Sequence, residues 1–275
     1  MPLHPMTPDL YAAYPLKGKP PSAADFSPAE WDMRIKVAAA YRLVAHFGMA
    51  DMIYNHISAA VPGEEGHFLI NPFGMHYSDI RASSLLKVDL DGREICNPWA
   101  DMGINLAGYV IHSAIHRERP SIGCIIHTHT PAGMAVSALQ CGLLPLTQTA
   151  MRFAQVAYHD YEGVAVDLDE QQRLVQDLGE AEVMVLRNHG LLAVGATVQQ
   201  AFNNIYRIER SCQAQIMAMS CQSPLITPAS AVVARTNEQL AVQPSTTKGE
   251  KKPYGMLEWR AMLHMLDKID PSYRL

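Results

Sequence analysis

The 275-residue sequence lacks several features that mark special classes of protein. Its five cysteines are odd in number and scattered, which argues against a disulfide framework and favours free thiols in a reducing compartment. No run approaches the roughly 18 consecutive apolar residues of a membrane span, and no signal peptide is visible. With 22 Lys and Arg against 27 Asp and Glu, it has no basic excess for nucleic acid or an anionic membrane. We therefore expect a cytoplasmic protein whose partner is a small molecule.

The composition and length fit one large α/β domain with extensions, or at most two small domains. Prolines concentrated in residues 1–27 predict an extended N-terminal arm with little structure of its own. Residues 28–221 then form the α/β domain. Residues 222–255 are rich in Pro, Ser, Thr and Gly and predict a linker, before a last amphipathic helix over Leu257–Asp267. We expect residues 222–275 to pack on the domain or on a neighbouring subunit.

Hydrophobic periodicity and turn residues predict the elements of this domain. In chain order they are a helix after Ser27-Pro28, strands over Ile57–Val61, His67–Ile70 and Leu86–Leu90, a hairpin return through Arg93–Ile95, a helix over Asn105–Arg117, a helix from Ala132, and a long helix capped by Thr197.

Two histidines, His127 and His129, end an apolar run that begins at Ile122. Successive side chains of a β-strand point to opposite faces, so residues two apart share a face. Both imidazoles are therefore aimed at the same point, as two ligands of one metal ion would be. The alternative is that they are ordinary surface or core residues, which is the commoner case for an isolated His-x-His pair.

A third histidine, His189, lies between two further apolar runs, and its neighbours Asn188 and Gly190 are typical turn residues. The pattern predicts a hairpin whose tip presents His189 rather than burying it. Together with His127 and His129 it would complete a face of three nitrogens. Such a face leaves coordination positions open for water or substrate, which distinguishes a catalytic metal site from a closed structural one.

Other residues give weaker signals for chemistry. The Asn71–Gly74 segment follows a strand and predicts a tight turn; such turns expose backbone amides that bind anions, although most merely turn the chain. Asn55 is suited to holding a phosphate, carboxylate or carbonyl oxygen, and Ser83 is equally suited to capping a helix. His112 borders the apolar face of its helix and can reach the metal strand, whereas His116 lies in what looks like a solvated helix end.

These residues together resemble the class II aldolase/adducin family over roughly residues 30–220. Within the family, the sequence most resembles the adducin head domain. The matching segments, which occur in the family's order, are Tyr54–Ser58, His67–Gly74, Thr130–Gly133, Cys141–Pro145, Val156–Tyr161 and Arg187–Gly190.

The resemblance implies a three-layer α/β/α fold around a mostly antiparallel sheet, usually in a cyclic tetramer with sites between subunits. The family's aldolases hold a divalent metal, usually zinc, on three histidines and cleave sugar phosphates through a stabilised enediolate. Carried over, the metal ligands are His127, His129 and His189. Substrate contacts would come from Asn55, from Asn71 and Gly74 of the tight turn, and from Ser83.

One departure from the family pattern matters for mechanism. Family aldolases place an acidic residue one helix before the His-x-His strand, and that position falls on Gly108 here. Glycine cannot move a proton, and general acid/base catalysis is typically worth ~10²–10⁴-fold. A catalytic role would then fall to His112, one turn along the helix, or to a metal-activated hydroxide. Adducin heads also lack the acid and are regarded as non-enzymatic.

Three functions remain open from the sequence. The first is a metal-dependent aldolase-like lyase that acts on a small hydroxy- or oxo-carbonyl compound through an enolate, with zinc as the expected metal and manganese as an alternative. The second is an Fe(II)-dependent oxygenase or decarboxylase on the same three histidines. The third is a non-catalytic adducin-like assembly module. We favour the first, because three converging imidazoles are costly for a scaffold when each unpaired buried polar group costs ~1–3 kcal/mol.

Overall fold

The computed structural model describes residues 10–153, 155–163, 168–241 and 254–275. Eight strands form one mixed sheet in the order β4-β3-β2-β1-β5-β8-β7-β6, and every neighbouring pair is antiparallel except the parallel pair β6 and β7. The strands are β1 His56–Ala60, β2 His67–Ile70, β3 Leu86–Asp89, β4 Glu94–Cys96, β5 Cys124–Thr128, β6 Ala157–His159, β7 Val183–Leu186 and β8 Gly190–Gly195.

Helices cover both faces of this sheet, which confirms the predicted α/β fold with a mostly antiparallel sheet. In chain order they are α1 Leu10–Ala13, α2 Pro28–His46, α3 Leu106–Glu118, α4 Pro131–Ser137, α5 Leu168–Leu178, α6 Val198–Ser220, α7 Ser230–Ala241 and α8 Met256–Ile269. In the described part of the chain, no helix combines the length and apolar content needed to cross a membrane.

Side chains of strand β5 alternate between the two faces of the sheet, so its residues contribute to a separate apolar cluster on each face. Ile126 belongs to the larger apolar cluster, which packs against α2, α6 and α8. Ile125 belongs to a second cluster with Ile111 of α3 and Leu174 of α5. His127 follows on the Ile125 side, because side chains two apart share a face. The candidate site therefore lies at the end of β5, on the α3 face of the sheet.

Helix starts follow the local capping signals. Ser27 caps α2 by accepting the backbone N–H of Glu30, and Thr197 caps α6 by accepting that of Gln200. Strand β2 has the predicted bounds, and the three-residue turn before Gly190 places His189 at a hairpin tip as predicted.

Three local predictions were wrong or incomplete. The linker predicted over 222–255 contains α7, because Ser230–Ala241 has neither Gly nor Pro and is rich in helix-forming residues. Residues 242–253 of that segment lie outside the described residues. The arm predicted over 1–27 contains α1 and a bridge from Leu16 to Trp99. His116 is buried against Phe68 rather than solvated.

Candidate metal centre

The three histidines predicted from the sequence converge on one point. Their Nε2 atoms lie 2.7 Å apart for His127 and His129, 2.9 Å for His129 and His189, and 3.2 Å for His127 and His189. Strand β5 supplies His127 and ends one residue before His129, while the β7–β8 hairpin supplies His189. Asn188, beside His189, adopts a positive φ of 54°, which asparagine tolerates better than most residues. We refer to these three residues as the three-histidine cluster.

Hydrogen bonds on the far side of two rings fix which nitrogen carries the proton. His127 Nδ1 lies 2.9 Å from the backbone oxygen of Leu191, and His129 Nδ1 lies 3.3 Å from Oδ2 of Asp51. A carbonyl and a carboxylate only accept, so each Nδ1 is the donor. In the neutral form of each ring, the Nε2 atoms of His127 and His129 then present bare lone pairs to each other, as metal-binding histidines do when an outer partner holds the other nitrogen.

Burial keeps these imidazoles neutral. Desolvation, followed by the neighbouring histidines, lowers the pKa of His127 well below its ordinary value and that of His189 to about 4. Desolvation also lowers the pKa of His129, although Asp51 opposes it. Two lone pairs 2.7 Å apart repel each other unless a cation lies between them. Zinc–nitrogen bonds of ~2.0–2.1 Å bring ligand nitrogens to about 3 Å from one another, so the cluster fits a divalent transition metal.

One residue close to the cluster that the sequence did not single out is His56. Strands β1 and β5 pair His56 with His127, and their ring centroids lie 5.0 Å apart. The sequence signal was present, since His56 lies within the family-like segment Tyr54–Ser58. Its meaning depends on the pairing of β1 with β5, which no local pattern reveals. Asp51, which orients His129, was missed for the same reason.

His112, the predicted catalytic residue, lies one hydrogen bond behind His56. It is fully buried, and its Nε2 lies 2.8 Å from Nδ1 of His56. Among the described contacts it does not touch the three-histidine cluster directly. Gly108 lies one turn earlier on the same helix, and a Cβ built there would lie 2.5 Å from Nε2 of His56. The space beside Gly108 is therefore occupied by the His56 ring.

Asn55, a substrate contact predicted from the sequence, is bonded to Asp51. It is buried, and its Oδ1 accepts the backbone N–H of Asp51 at 2.7 Å. Its Nδ2 is buried and has no hydrogen-bond partner within the described ranges. Asn55 is bonded to Asp51, and Asp51 contacts His129. A single residue, Asp51, therefore links Asn55 to the cluster.

The polar groups of the remaining predicted contacts, in the Asn71–Gly74 turn and Ser83, are bonded within the chain. Asn71 accepts from the Tyr41 hydroxyl and donates to the Pro72 carbonyl, so it holds its own turn. Gly74 adopts a φ of 118°, which favours glycine. Ser83 donates through both its hydroxyl and its backbone N–H to the Leu275 carbonyl oxygen. No contact in the described part of the chain joins Ser83 to the cluster.

Comparison with known proteins adds sequence relatives to this geometry. Residues 35–216 match the family model described as the class II aldolase and adducin N-terminal domain. A Caulobacter vibrioides protein named "Putative aldolase class 2 protein" is 45% identical over 268 residues, covering 94% of this chain and 95% of its own length. Rat alpha-adducin is 42% identical over 246 residues, which cover 86% of this chain and 33% of adducin.

Solved structures share the fold over most of the chain. An aldolase II superfamily protein from Pseudomonas syringae has a TM-score of 0.85 at 45% identity, covering 93% of this chain and all of that one. L-fuculose 1-phosphate aldolase from Glaciozyma antarctica has a TM-score of 0.76 at 27% identity, covering 94% of this chain and 97% of the enzyme.

Proposed function

This chain belongs to the class II aldolase and adducin family, and on that premise we propose that it is a divalent-metal-dependent lyase. The ligands are His127, His129 and His189, and the substrate is a small hydroxy- or oxo-carbonyl compound. The observation that carries the proposal is the 2.7 Å approach of His127 Nε2 to His129 Nε2, with the Nδ1 atom of each ring held by a hydrogen-bond acceptor. Zinc is the first candidate metal and Mn the alternative, whereas Fe(II) on the same three histidines would favour an oxygenase or decarboxylase.

When bound, the metal supplies a Lewis acid that stabilises the negative charge developing on a carbonyl oxygen in retro-aldol cleavage or decarboxylation. The protein's own residues orient the metal ligands and bind the substrate. Leu191 and Asp51 fix the rings of His127 and His129 through their Nδ1 atoms. We assign to Asn55 Nδ2, which is buried without a partner among the described residues, a hydrogen bond to a substrate oxygen.

Residue 108 cannot act as the general acid or base, because glycine has no ionisable side chain. We propose that His112 acts through His56, since its Nε2 bonds to His56 Nδ1 at 2.8 Å. His56 is then the imidazole that meets the substrate, with its ring beside Gly108 and His127. The Asn71–Gly74 turn and Ser83 contribute to binding indirectly, by holding the backbone around them in place, because their polar groups are bonded within the chain.

We further propose a cytoplasmic homotetramer with sites between subunits, and a division of the chain at residues 28 and 222. The aldolases of this family act on small molecules and are often oligomeric, which supports the homotetramer. The family match over residues 35–216 falls inside the proposed domain, which supports the division of the chain.

A non-catalytic assembly module is the second candidate, and two observations favour it. Gly108 stands where the family's aldolases carry an acid, and rat alpha-adducin is 42% identical to this chain. The two candidates differ in whether the metal-loaded protein activates a carbonyl compound.

Exchange of hydrogen for deuterium beside a carbonyl tests the lyase proposal without knowledge of the natural substrate. Zinc-loaded protein is incubated in D₂O with dihydroxyacetone, hydroxyacetone or pyruvate, and the loss of the α-proton signal is followed by NMR. We expect exchange with at least one compound, and none with the His127→Ala/His129→Ala variant. Rates no higher than those of this variant, at full metal loading, would favour the assembly module.

A further inference from the structure

A chain of hydrogen bonds runs away from the metal centre through the layer between the sheet and α3. His56 Nδ1 lies 2.8 Å from His112 Nε2, His112 Nδ1 lies 2.6 Å from Ser58 Oγ, and Ser58 Oγ lies 2.8 Å from His116 Nε2. All four side chains are buried. Four polar groups so placed must satisfy one another, because an unpaired buried group costs ~1–3 kcal/mol.

Burial without any carboxylate bonded to them favours the neutral form of the three imidazoles of this chain. Burial lowers the pKa of His56 and of His112 well below the ordinary value and that of His116 to about 4. A neutral imidazole carries one N–H, so it donates on one side and accepts on the other. The direction of each bond in the chain therefore depends on which nitrogen of each ring carries the proton and on whether the Ser58 hydroxyl donates to His112 or to His116 or accepts from both.

The far end selects the direction. His116 also hydrogen-bonds the backbone of Ile122, and this bond raises its pKa, as donation to a carbonyl oxygen does. Because Nε2 faces Ser58, the donor to Ile122 is Nδ1, and Nε2 must accept from the Ser58 hydroxyl. Ser58 in turn accepts from Nδ1 of His112. His112 Nε2 then accepts from Nδ1 of His56.

Nε2 of His56 is consequently left with a bare lone pair. It has no hydrogen-bond partner in the described ranges, and it lies against Gly108, where any Cβ would come within 2.5 Å of it. The same ring faces His127 of the three-histidine cluster. A neutral lone pair at this point favours a ligand group that donates a hydrogen, such as a hydroxyl, over a carboxylate or phosphate oxygen.

We propose that His116, Ser58 and His112 are positioning residues that fix His56 as its Nδ1–H tautomer, and that His56 Nε2 accepts a hydrogen bond from the hydroxyl of a hydroxy-carbonyl ligand. The first half stands on the hydrogen-bond chain and on the bond from His116 to the Ile122 backbone. The second half rests on the proposed function, because it places a ligand beside the three-histidine cluster.

Imidazole ¹⁵N NMR of the full-length, metal-free protein tests the first half, because protonated and bare ring nitrogens have widely separated shifts. We expect Nδ1 of His56 to be protonated and Nε2 to be bare in the wild type. A wild-type Nε2–H tautomer of His56 would overturn the proposal without recourse to any variant.

A matched pair of substitutions at His116 tests whether this end of the hydrogen-bond chain controls the tautomer of His56. His116→Gln keeps an amide oxygen that accepts from Ser58, whereas His116→Phe keeps an aromatic ring against Phe68 but offers no acceptor. We expect His116→Gln to retain the His56 tautomer and His116→Phe to switch it to Nε2–H, because Ser58 then donates to His112. Ser58→Ala breaks the chain from a second position and should give the same loss. An unchanged His56 tautomer in both His116→Phe and Ser58→Ala would refute control by the chain.

Hydroxyacetone and acetone, which differ by one hydroxyl, test the second half on zinc-loaded protein. We expect hydroxyacetone to shift the His56 Nε2 resonance and acetone to leave it in place. Equal effects of the two probes would overturn the assignment of the ligand group. Failure of the proposed function would appear differently, as a protein that binds no zinc while the wild-type tautomer stays as described.

Discussion

The imidazole of His56 occupies the space in which a side chain at position 108 would begin. A Cβ built on Gly108 would lie 2.5 Å from Nε2 and 2.7 Å from Cγ of His56. The ring has little room to move away, because His112 holds its Nδ1 and His127 packs against it. The glycine at position 108 and the placement of the His56 ring are therefore two sides of one packing arrangement.

This arrangement predicts that Gly108→Ala destabilises the protein, although alanine is the better helix former. Overpacking a buried site typically costs ~1–3 kcal/mol, which exceeds the ~1 kcal/mol gained from helix propensity. Urea unfolding measures the difference. In a His56→Ala background the same substitution should be neutral or stabilising, because the clash is gone. A Gly108→Ala protein as stable as the wild type would contradict this account.

The buried histidines predict that the metal-free protein loses stability in mild acid. His189 and His116 have folded pKa values of about 4, below the ordinary value of 6.5. The unfolded state therefore binds more protons between these values, so stability is full above about pH 6.5 and falls as the pH drops towards 4. Unfolding free energies at pH 7.5 and pH 5 check this. The His116→Gln variant should show a shallower slope, and a flat wild-type profile would contradict the prediction.

Asp51 predicts a measurable effect on metal affinity without being a ligand. Its carboxylate holds Nδ1 of His129 at 3.3 Å, and loss of such an outer partner typically costs ~10–100-fold in affinity. Competition for zinc with a chromophoric chelator should show this loss for Asp51→Asn. The exposed Asp101→Asn serves as the control and should bind as the wild type does. Equal affinities for the two variants would show that Asp51 does not orient His129.

Asn55 predicts a loss of turnover at constant metal content. Its buried Nδ2 is the donor that we assign to a substrate oxygen, and removing a donor of this kind costs ~10²–10³ in rate. Asn55→Ala should slow deuterium exchange into the reactive probe by this order while zinc stoichiometry stays unchanged. An unaltered exchange rate would remove Asn55 from the substrate site.

Local sequence patterns predicted the three-histidine cluster because its geometry is mostly local. The two-residue period of a strand brings His127 and His129 to one face, and turn residues place His189 at a hairpin tip. Convergence of the strand and the hairpin needed only that β5 and β8 be neighbours, which they are.

The rest of the site depends on contacts between distant parts of the sequence. His56 meets His127 only because β1 pairs with β5 in one register, and a shift of one residue would turn it to the other face. His116 looked solvated because the charged residues Arg117, Glu118 and Arg119 follow it, yet its own side of the helix packs on Phe68. His112 stays a predicted catalytic residue, and its immediate partner, His56, could not be foreseen because it depends on the same register.

Metal content per chain is the most direct test of the central claim. Elemental mass spectrometry of protein purified anaerobically without added metal is compared with the His127→Ala/His129→Ala variant. We predict near one equivalent of a transition metal in the wild type and its loss in the variant, with zinc or manganese favouring the lyase and iron favouring the oxygenase. Substoichiometric metal that is the same in both proteins would contradict the metal centre and favour the adducin-like module.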